Sequence, residues 1–95
     1  NPFYTIHSAV HRKNSKGFPK NGFLPNESLT MDETLKGMTF WAAFAAFEES
    51  FVGSLEPGKK ATFVILNSPL NKGSEFVNNF AWKTFIDGII VHSLE

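Results

Sequence analysis

The sequence has 95 residues, with nine Lys and Arg balanced by nine Asp and Glu, and it contains no Cys. This length fits one small domain, and the zero net charge argues against nucleic acid or an anionic membrane surface as a partner. The absence of Cys excludes disulfides and thiolate metal sites and leaves the compartment open. The longest apolar run, residues 40–47, is far shorter than the ~20 residues of a membrane-spanning helix.

The first predicted element is a short helix over residues 2–12. Phe3, Ile6 and Val10 recur at three- and four-residue spacing, and Pro2 suits the first turn of a helix. Residues 13–28 then hold two Gly, two Pro, three Asn and two Ser, which predicts a loop. Because loops beyond about 12 to 15 residues are usually functional or disordered, we interpret this segment as a lid-like excursion or a partly disordered stretch.

The second predicted helix begins at a capping box, in which Thr30 and Glu33 each satisfy a backbone N–H of the other residue. The apolar pattern continues to Phe47 without a break and covers nearly the whole circumference after Lys36. A helix of this kind needs burial on more than one side. We therefore expect a larger body than this chain to cover it.

The second half of the chain reads as short strands bounded by Gly, Pro and Asn. The four predicted strands are residues 51–55, 62–66, 84–86 and 89–92. A turn at 56–59 and a two-residue hairpin loop at Asp87 and Gly88 connect them, and a polar insertion at 67–81 contains a helical turn near 75–80. These strands are antiparallel and too few to close a barrel.

One pair of residues has the spacing of metal ligands. His7 and His11 lie four apart on the first helix, so both imidazoles can face one side, as two zinc ligands must. Ser8 stands where a His-Glu-x-x-His motif requires Glu. We therefore favour packing or surface histidines over a zinc site, and the zinc enzyme is the third and weakest functional hypothesis.

The charged pairs of the chain have structural interpretations. Glu48 and Glu49 could act in acid/base chemistry, but the solvent-facing end of the second helix explains them better. Asp32 and Glu33 belong to that helix's start, and the lysines at 59 and 60 fit a solvated hairpin tip. No Gly-x-Ser-x-Gly elbow or Gly-rich phosphate loop occurs. The sequence thus offers no catalytic, cofactor-binding or metal-binding residue.

Four stretches nevertheless carry a resemblance to a known family. They are AVHR at 9–12, LTMDETLKGMT at 29–39, GSLEPGKKATFVIL at 53–66 and TFIDGIIV at 84–91. Together they resemble the carboxy-terminal end of the amidohydrolase superfamily of metal-dependent hydrolases, in the amidohydrolase 3 branch of exoenzyme-regulator-like and formamide-type enzymes. Thr62, where the family usually has Asp, and Thr34, where it has Ala, depart from that pattern.

The resemblance implies an α+β fold class for the chain. Residues 1–50 would be the last outer helices of a (β/α)₈ barrel, with the long loop at 13–28, and residues 51–93 would be antiparallel strands of a small composite β-sandwich. Leu94 and Glu95 look like a vector-derived scar. The family's last Asp ligand would lie slightly before Asn1, so we expect none of the metal ligands in this chain.

The resemblance also implies the function. The parent would be a metal-dependent amidohydrolase that acts on non-peptide C–N bonds with one or two divalent ions such as zinc, and this chain would be scaffold only and inactive alone. Its partner would be the missing amino-terminal barrel portion, with self-association through exposed apolar faces in its absence. The alternative is a stand-alone, aromatic-rich protein interaction module.

Overall fold

A computed structural model of the chain describes residues 1–70 and 76–95. It is an α+β arrangement of short helices and a three-stranded antiparallel sheet. The helices are α1 (Pro2–His11), α2 (Met31–Met38) and α3 (Phe40–Ala45), and the strands are β1 (Phe63–Leu66), β2 (Ala81–Ile86) and β3 (Ile89–Ser93). Two 3₁₀ turns are present at Pro25–Glu27 and Phe76–Asn78. In the part of the chain that is described, no helix is long and apolar enough to cross a bilayer.

The chain divides into two compact units. The first combines Asn1–Leu35 with Leu70–Asn79, of which 71–75 lie outside the described residues, and the second combines Lys36–Pro69 with Phe80–Glu95. The first unit therefore contains α1 and the long loop, whereas the second contains α3 and the sheet. The predicted division at residue 50, between barrel helices and sandwich strands of a parent protein, stays a prediction.

Helix α1 confirms the first predicted helix. The Asn1 side chain caps it by accepting a hydrogen bond from the backbone N–H of Phe3 at 2.9 Å. The helix ends where Arg12 turns left-handed, with φ 57° and its N–H donated to the Ser8 carbonyl. Its buried face packs against the 3₁₀ turn that begins at the fully buried Phe76. That turn confirms the helical turn expected near 75–80, although residue 75 itself lies outside the described residues.

The capping box of the second helix is confirmed. The Thr30 N–H donates to Glu33 Oε1 and the Glu33 N–H donates to Thr30 Oγ1, both at 3.0 Å. The prediction of one continuous helix to residue 47 is wrong, because Thr39 leaves the helical region with φ −124° and ψ −91° and separates α2 from α3. Two causes act together at this point. Gly37 weakens the helix by about 1 kcal/mol relative to Ala, and the segment at Gly53 packs directly against the break.

The sheet has the order β1-β2-β3. Three of the four predicted strands are confirmed, and the hairpin loop between β2 and β3 has φ 51° at Asp87 and φ 80° at Gly88, as predicted for a two-residue turn. The strand predicted at 51–55 is wrong. Its residues form turns and bends, because the N–H groups of Phe51 and Val52 donate to the Glu48 carbonyl and Gly53 has φ +101°.

Candidate functional site

The two histidines of α1 lie together in the first unit. Their ring centroids are 5.0 Å apart in an edge-on arrangement, and the His11 ring stacks on Phe76 at 5.1 Å. His7 is buried, with its Nε2 atom 3.0 Å from the Asn14 carbonyl oxygen. These contacts give both rings a packing role, as we favoured from the sequence. Within residues 1–70 and 76–95, no three His, Cys, Asp or Glu side chains cluster as a metal site would require.

The Glu33 carboxylate serves the start of α2. Hydrogen bonds from the Thr30 backbone N–H and, to a lesser degree, from its hydroxyl lower the pKa of Glu33 from its ordinary value of 4.5. The carboxylate is thus held ionised by its role as a cap and sits near the positive end of the helix dipole. This arrangement accounts for Glu33 without catalytic chemistry.

The two glutamates after α3 differ from each other. Glu48 is exposed, as predicted for the solvent-facing end of a helix, and its N–H donates to the Ala43 carbonyl at 2.8 Å. Glu49 is only half-exposed, and its Oε2 atom is buried without a hydrogen-bond partner among the described residues. The expectation that both carboxylates face solvent is therefore wrong for Glu49.

The prediction of a solvated lysine pair after the turn is wrong for Lys59. Its Nζ atom donates to Ser54 Oγ at 2.7 Å, lies 3.3 Å from Glu56 Oε2 and lies 5.3 Å from the centre of the Phe40 ring. The Lys59 side chain is only 11% exposed. The turn itself matches the prediction, since the Lys59 N–H donates to the Glu56 carbonyl and Gly58 has φ +92°. It closes an irregular segment rather than a hairpin, and that segment buries the lysine.

An apolar trough of about 510 Å³ lies within the second unit, between the segment 53–55 and the sheet. Its walls include Leu55 and the paired rings of Phe63 and Phe85, whose centroids are 4.7 Å apart. The sequence does not predict this trough, because its pattern favours a strand at 51–55, and a strand would pair with the sheet instead of facing it. A glycine inside an apparent strand, here Gly53, is the sequence signal for such an irregularity.

Much of the apolar surface of the second unit is uncovered. In α3 only Ala43 is buried, while Phe44 is 61% exposed and Phe47, just after the helix, is 89% exposed. Every residue of β3 is exposed, including three consecutive β-branched aliphatics that begin at Ile89. Exposed apolar side chains are therefore present both around α3 and along β3.

A second cavity, of about 290 Å³, lies in the first unit beside the end of α1. Arg12, Lys13 and Phe23 contribute to its lining. Arg12 Nε donates to the Phe23 carbonyl at 2.8 Å, and the guanidinium carbon lies 5.7 Å from the centre of the Phe23 ring. The sequence pattern indicated a loop here but not that the loop folds back on α1 to form a cationic hollow.

Known proteins that are similar to this chain agree with the resemblance seen in its sequence. A family model described as the Amidohydrolase family matches residues 1–92. The chain is also similar to the protein LONG AFTER FAR-RED 3 of Arabidopsis thaliana, with 40% identity over 76 residues, or 80% of this chain. The chain spans only 12% of that relative's length. No solved structure matches.

Proposed function

The chain belongs to the amidohydrolase family, and from this premise we propose that it is the carboxy-terminal scaffold of a metal-dependent amidohydrolase acting on non-peptide C–N bonds. The parent would combine a (β/α)₈ barrel with a small β-sandwich, to which residues 1–50 and 51–93 would contribute. The observation that carries the scaffold role is the aromatic surface of α3, which is uncovered in a chain that spans 12% of its relative's length. The amino-terminal barrel portion of the parent would cover that surface.

The metal of such a hydrolase does not fit the residues described in this chain. His7 points its Nε2 atom at the Asn14 carbonyl oxygen, and the His11 ring is stacked on Phe76, so neither imidazole stands beside a third ligand. A hydrolytic metal ion needs at least three protein ligands and an open position for water. The one or two divalent ions of the parent, such as zinc, would therefore be held by residues outside this chain.

A metal and activity measurement on the purified 95-residue chain tests the scaffold role. After incubation with zinc and desalting, we expect less than stoichiometric zinc by elemental analysis and no hydrolysis of formamide or N-acyl amide substrates. Stoichiometric zinc with metal-dependent turnover would overturn the proposal. A His7→Ala/His11→Ala variant that lost this zinc would favour the small zinc enzyme in its place.

The same substitution, made in the isolated chain and in the full-length gene product, tests whether α3 is covered in the parent. Phe44→Lys in the isolated chain removes an exposed ring, so we expect an unchanged circular dichroism spectrum and equal or better solubility. In the full-length gene product we expect the same change to abolish soluble expression, because it buries a charge. Ser50→Lys, at an exposed polar position nearby, is the control. Equal tolerance of Phe44→Lys in both proteins would show that no barrel covers α3.

We propose further that the isolated chain associates with itself while these faces are uncovered. The edge of β3 presents unpaired backbone groups together with Ile89, Ile90 and Val91, which is the surface that adds strands from a second copy. Sedimentation equilibrium should show dimers or larger species that Ile90→Lys disperses. A monomer at the highest attainable concentration would contradict this. The stand-alone interaction module would instead require a gene that encodes these residues alone.

A further inference from the structure

The zero net charge of the chain conceals a strong segregation of charge. Residues 1–26 contain four cations and no Asp or Glu, and all nine carboxylate side chains lie in residues 27–95. The four cations fall within nine consecutive positions: Arg12, Lys13, Lys16 and Lys20. Within residues 1–70 and 76–95, none of them forms an ion pair with a carboxylate. We call residues 12–23 the basic loop.

Hydrogen bonds fix the backbone of the basic loop. Asn14 organises its first turn, since the Asn14 Oδ1 atom accepts from the N–H groups of Lys16 and Phe18 at 2.9 and 3.0 Å. The Asn14 N–H also donates to the Phe18 carbonyl at 2.8 Å. At the base, the Phe23 N–H donates to the Arg12 carbonyl at 2.8 Å, and Arg12 Nε donates back to the Phe23 carbonyl. A loop tied in this way loses little further conformational freedom when it binds a partner.

The cavity beside α1 gives the basic loop a concave anchor point. Arg12 and Lys13 line it together with the ring of Phe23. Arg12 uses Nε within the loop, and the rest of its guanidinium has no hydrogen-bond acceptor among the described residues. Guanidinium and ammonium groups at one site favour an oxyanion such as a carboxylate or a phosphate. At about 290 Å³ the cavity is at the lower limit of whole-ligand sites, so it suits one acidic side chain.

The surroundings of the cavity extend the surface beyond a single anion. Phe18 is 71% exposed and Phe23 is 61% exposed, although the backbone on either side of both is hydrogen-bonded. Lys16 and Lys20, both exposed, flank Phe18 in the chain. Exposed aromatic side chains close to an arginine are typical of protein contact surfaces. A small free anion would use the cavity and leave these residues without a role.

From this juxtaposition we propose that the basic loop is a docking surface for an acidic protein segment. One carboxylate of that segment enters the cavity between Arg12 and Lys13, an apolar side chain covers Phe18, and further carboxylates meet Lys16 and Lys20. Nucleic acid is the less favoured partner, because the chain has no net positive charge and its clustered cations are confined to one short loop, which offers few contacts to a phosphate backbone.

Fluorescence anisotropy with defined probes tests the proposal on the 95-residue chain. The probe is a labelled dodecapeptide with three repeats of Glu-Leu-Glu-Glu, and the comparison probes are its Lys-for-Glu counterpart and a dodecameric oligothymidine. The loop variant is Lys13→Ala/Lys16→Ala/Lys20→Ala. The control variant, Lys36→Ala/Lys60→Ala/Lys83→Ala, has the same net charge with the lysines lost from the second unit. Circular dichroism verifies that both variants fold.

We expect saturable binding of the acidic peptide that weakens as NaCl rises from about 20 to 200 mM. The loop variant should lose at least about tenfold in affinity and the control variant less than about threefold. Phe18→Ala, at an exposed position, should lose about threefold or more through the apolar contact alone. Equal losses in the loop and control variants would overturn the proposal. Tighter binding of oligothymidine than of the acidic peptide, or no binding of the peptide, would overturn it as well.

Discussion

Replacing Gly53 by Ala should be among the most damaging small changes in the second unit. A Cβ atom at this position would lie 2.8 Å from the Ala43 Cβ, and 3.2 Å from both the Phe40 Cα and the Thr39 carbonyl oxygen. None of these atoms belongs to a flexible side chain that could rotate away. The backbone here also has φ +101°, which costs a residue with a side chain about 1–2 kcal/mol.

The overlap adds to the backbone strain. Overpacking a close contact costs about 1–3 kcal/mol, so Gly53→Ala should lower the free energy of unfolding by about 2–5 kcal/mol. Gly58→Ala is the matched control, because Gly58 has φ +92° and no atom within 4 Å of a built Cβ. Gly58→Ala should therefore lower the free energy of unfolding by the backbone strain alone. Urea unfolding followed by the fluorescence of Trp41 and Trp82 measures both variants in the unit that contains them. Equal losses in the two variants would refute the close approach at Gly53.

Three further changes test individual contacts. Lys59→Ala removes the contacts with Ser54, Glu56 and Phe40, so it should lower the free energy of unfolding in urea by about 1–2 kcal/mol. Lys60→Ala should change it by less than about 0.5 kcal/mol, and similar values for the two variants would contradict the burial of Lys59. Phe76→Ala, which empties a fully buried site, should cost about 3–5 kcal/mol by thermal unfolding, and a neutral result would contradict its packing against α1. Because the pKa of Glu33 is lowered in the folded chain, its stabilisation of α2 should be complete above about pH 4.5 and should disappear as the pH falls through the lowered pKa. Amide exchange at Thr30 should show this pH dependence in the unsubstituted chain and not in Glu33→Gln, and an identical pH profile in both would argue against the cap.

The sequence allowed prediction of elements whose signals are local. The capping box at Thr30, the turn at Gly58 and the hairpin at Asp87 each follow from backbone preferences that neighbouring residues determine. The helix break at Thr39, by contrast, depends in part on a contact with Gly53, which lies beyond α3 in the sequence. Apolar periodicity reports which residues avoid water but not where the chain must bend to let two backbones approach.

The same contrast explains why no catalytic residue could be predicted even though the family could. The stretch at 53–66, which carries part of the resemblance, has a structural reason at several of its positions. Gly53 permits the approach to α3, Ser54 accepts a hydrogen bond from Lys59, and Gly58 supplies the positive φ of the turn. Residues that are needed for packing can identify a fold. The chemistry of a fold depends instead on other side chains, which the scaffold only holds in position. A strong family signature in this chain is therefore compatible with a reaction whose ligands lie elsewhere in the parent, as we propose.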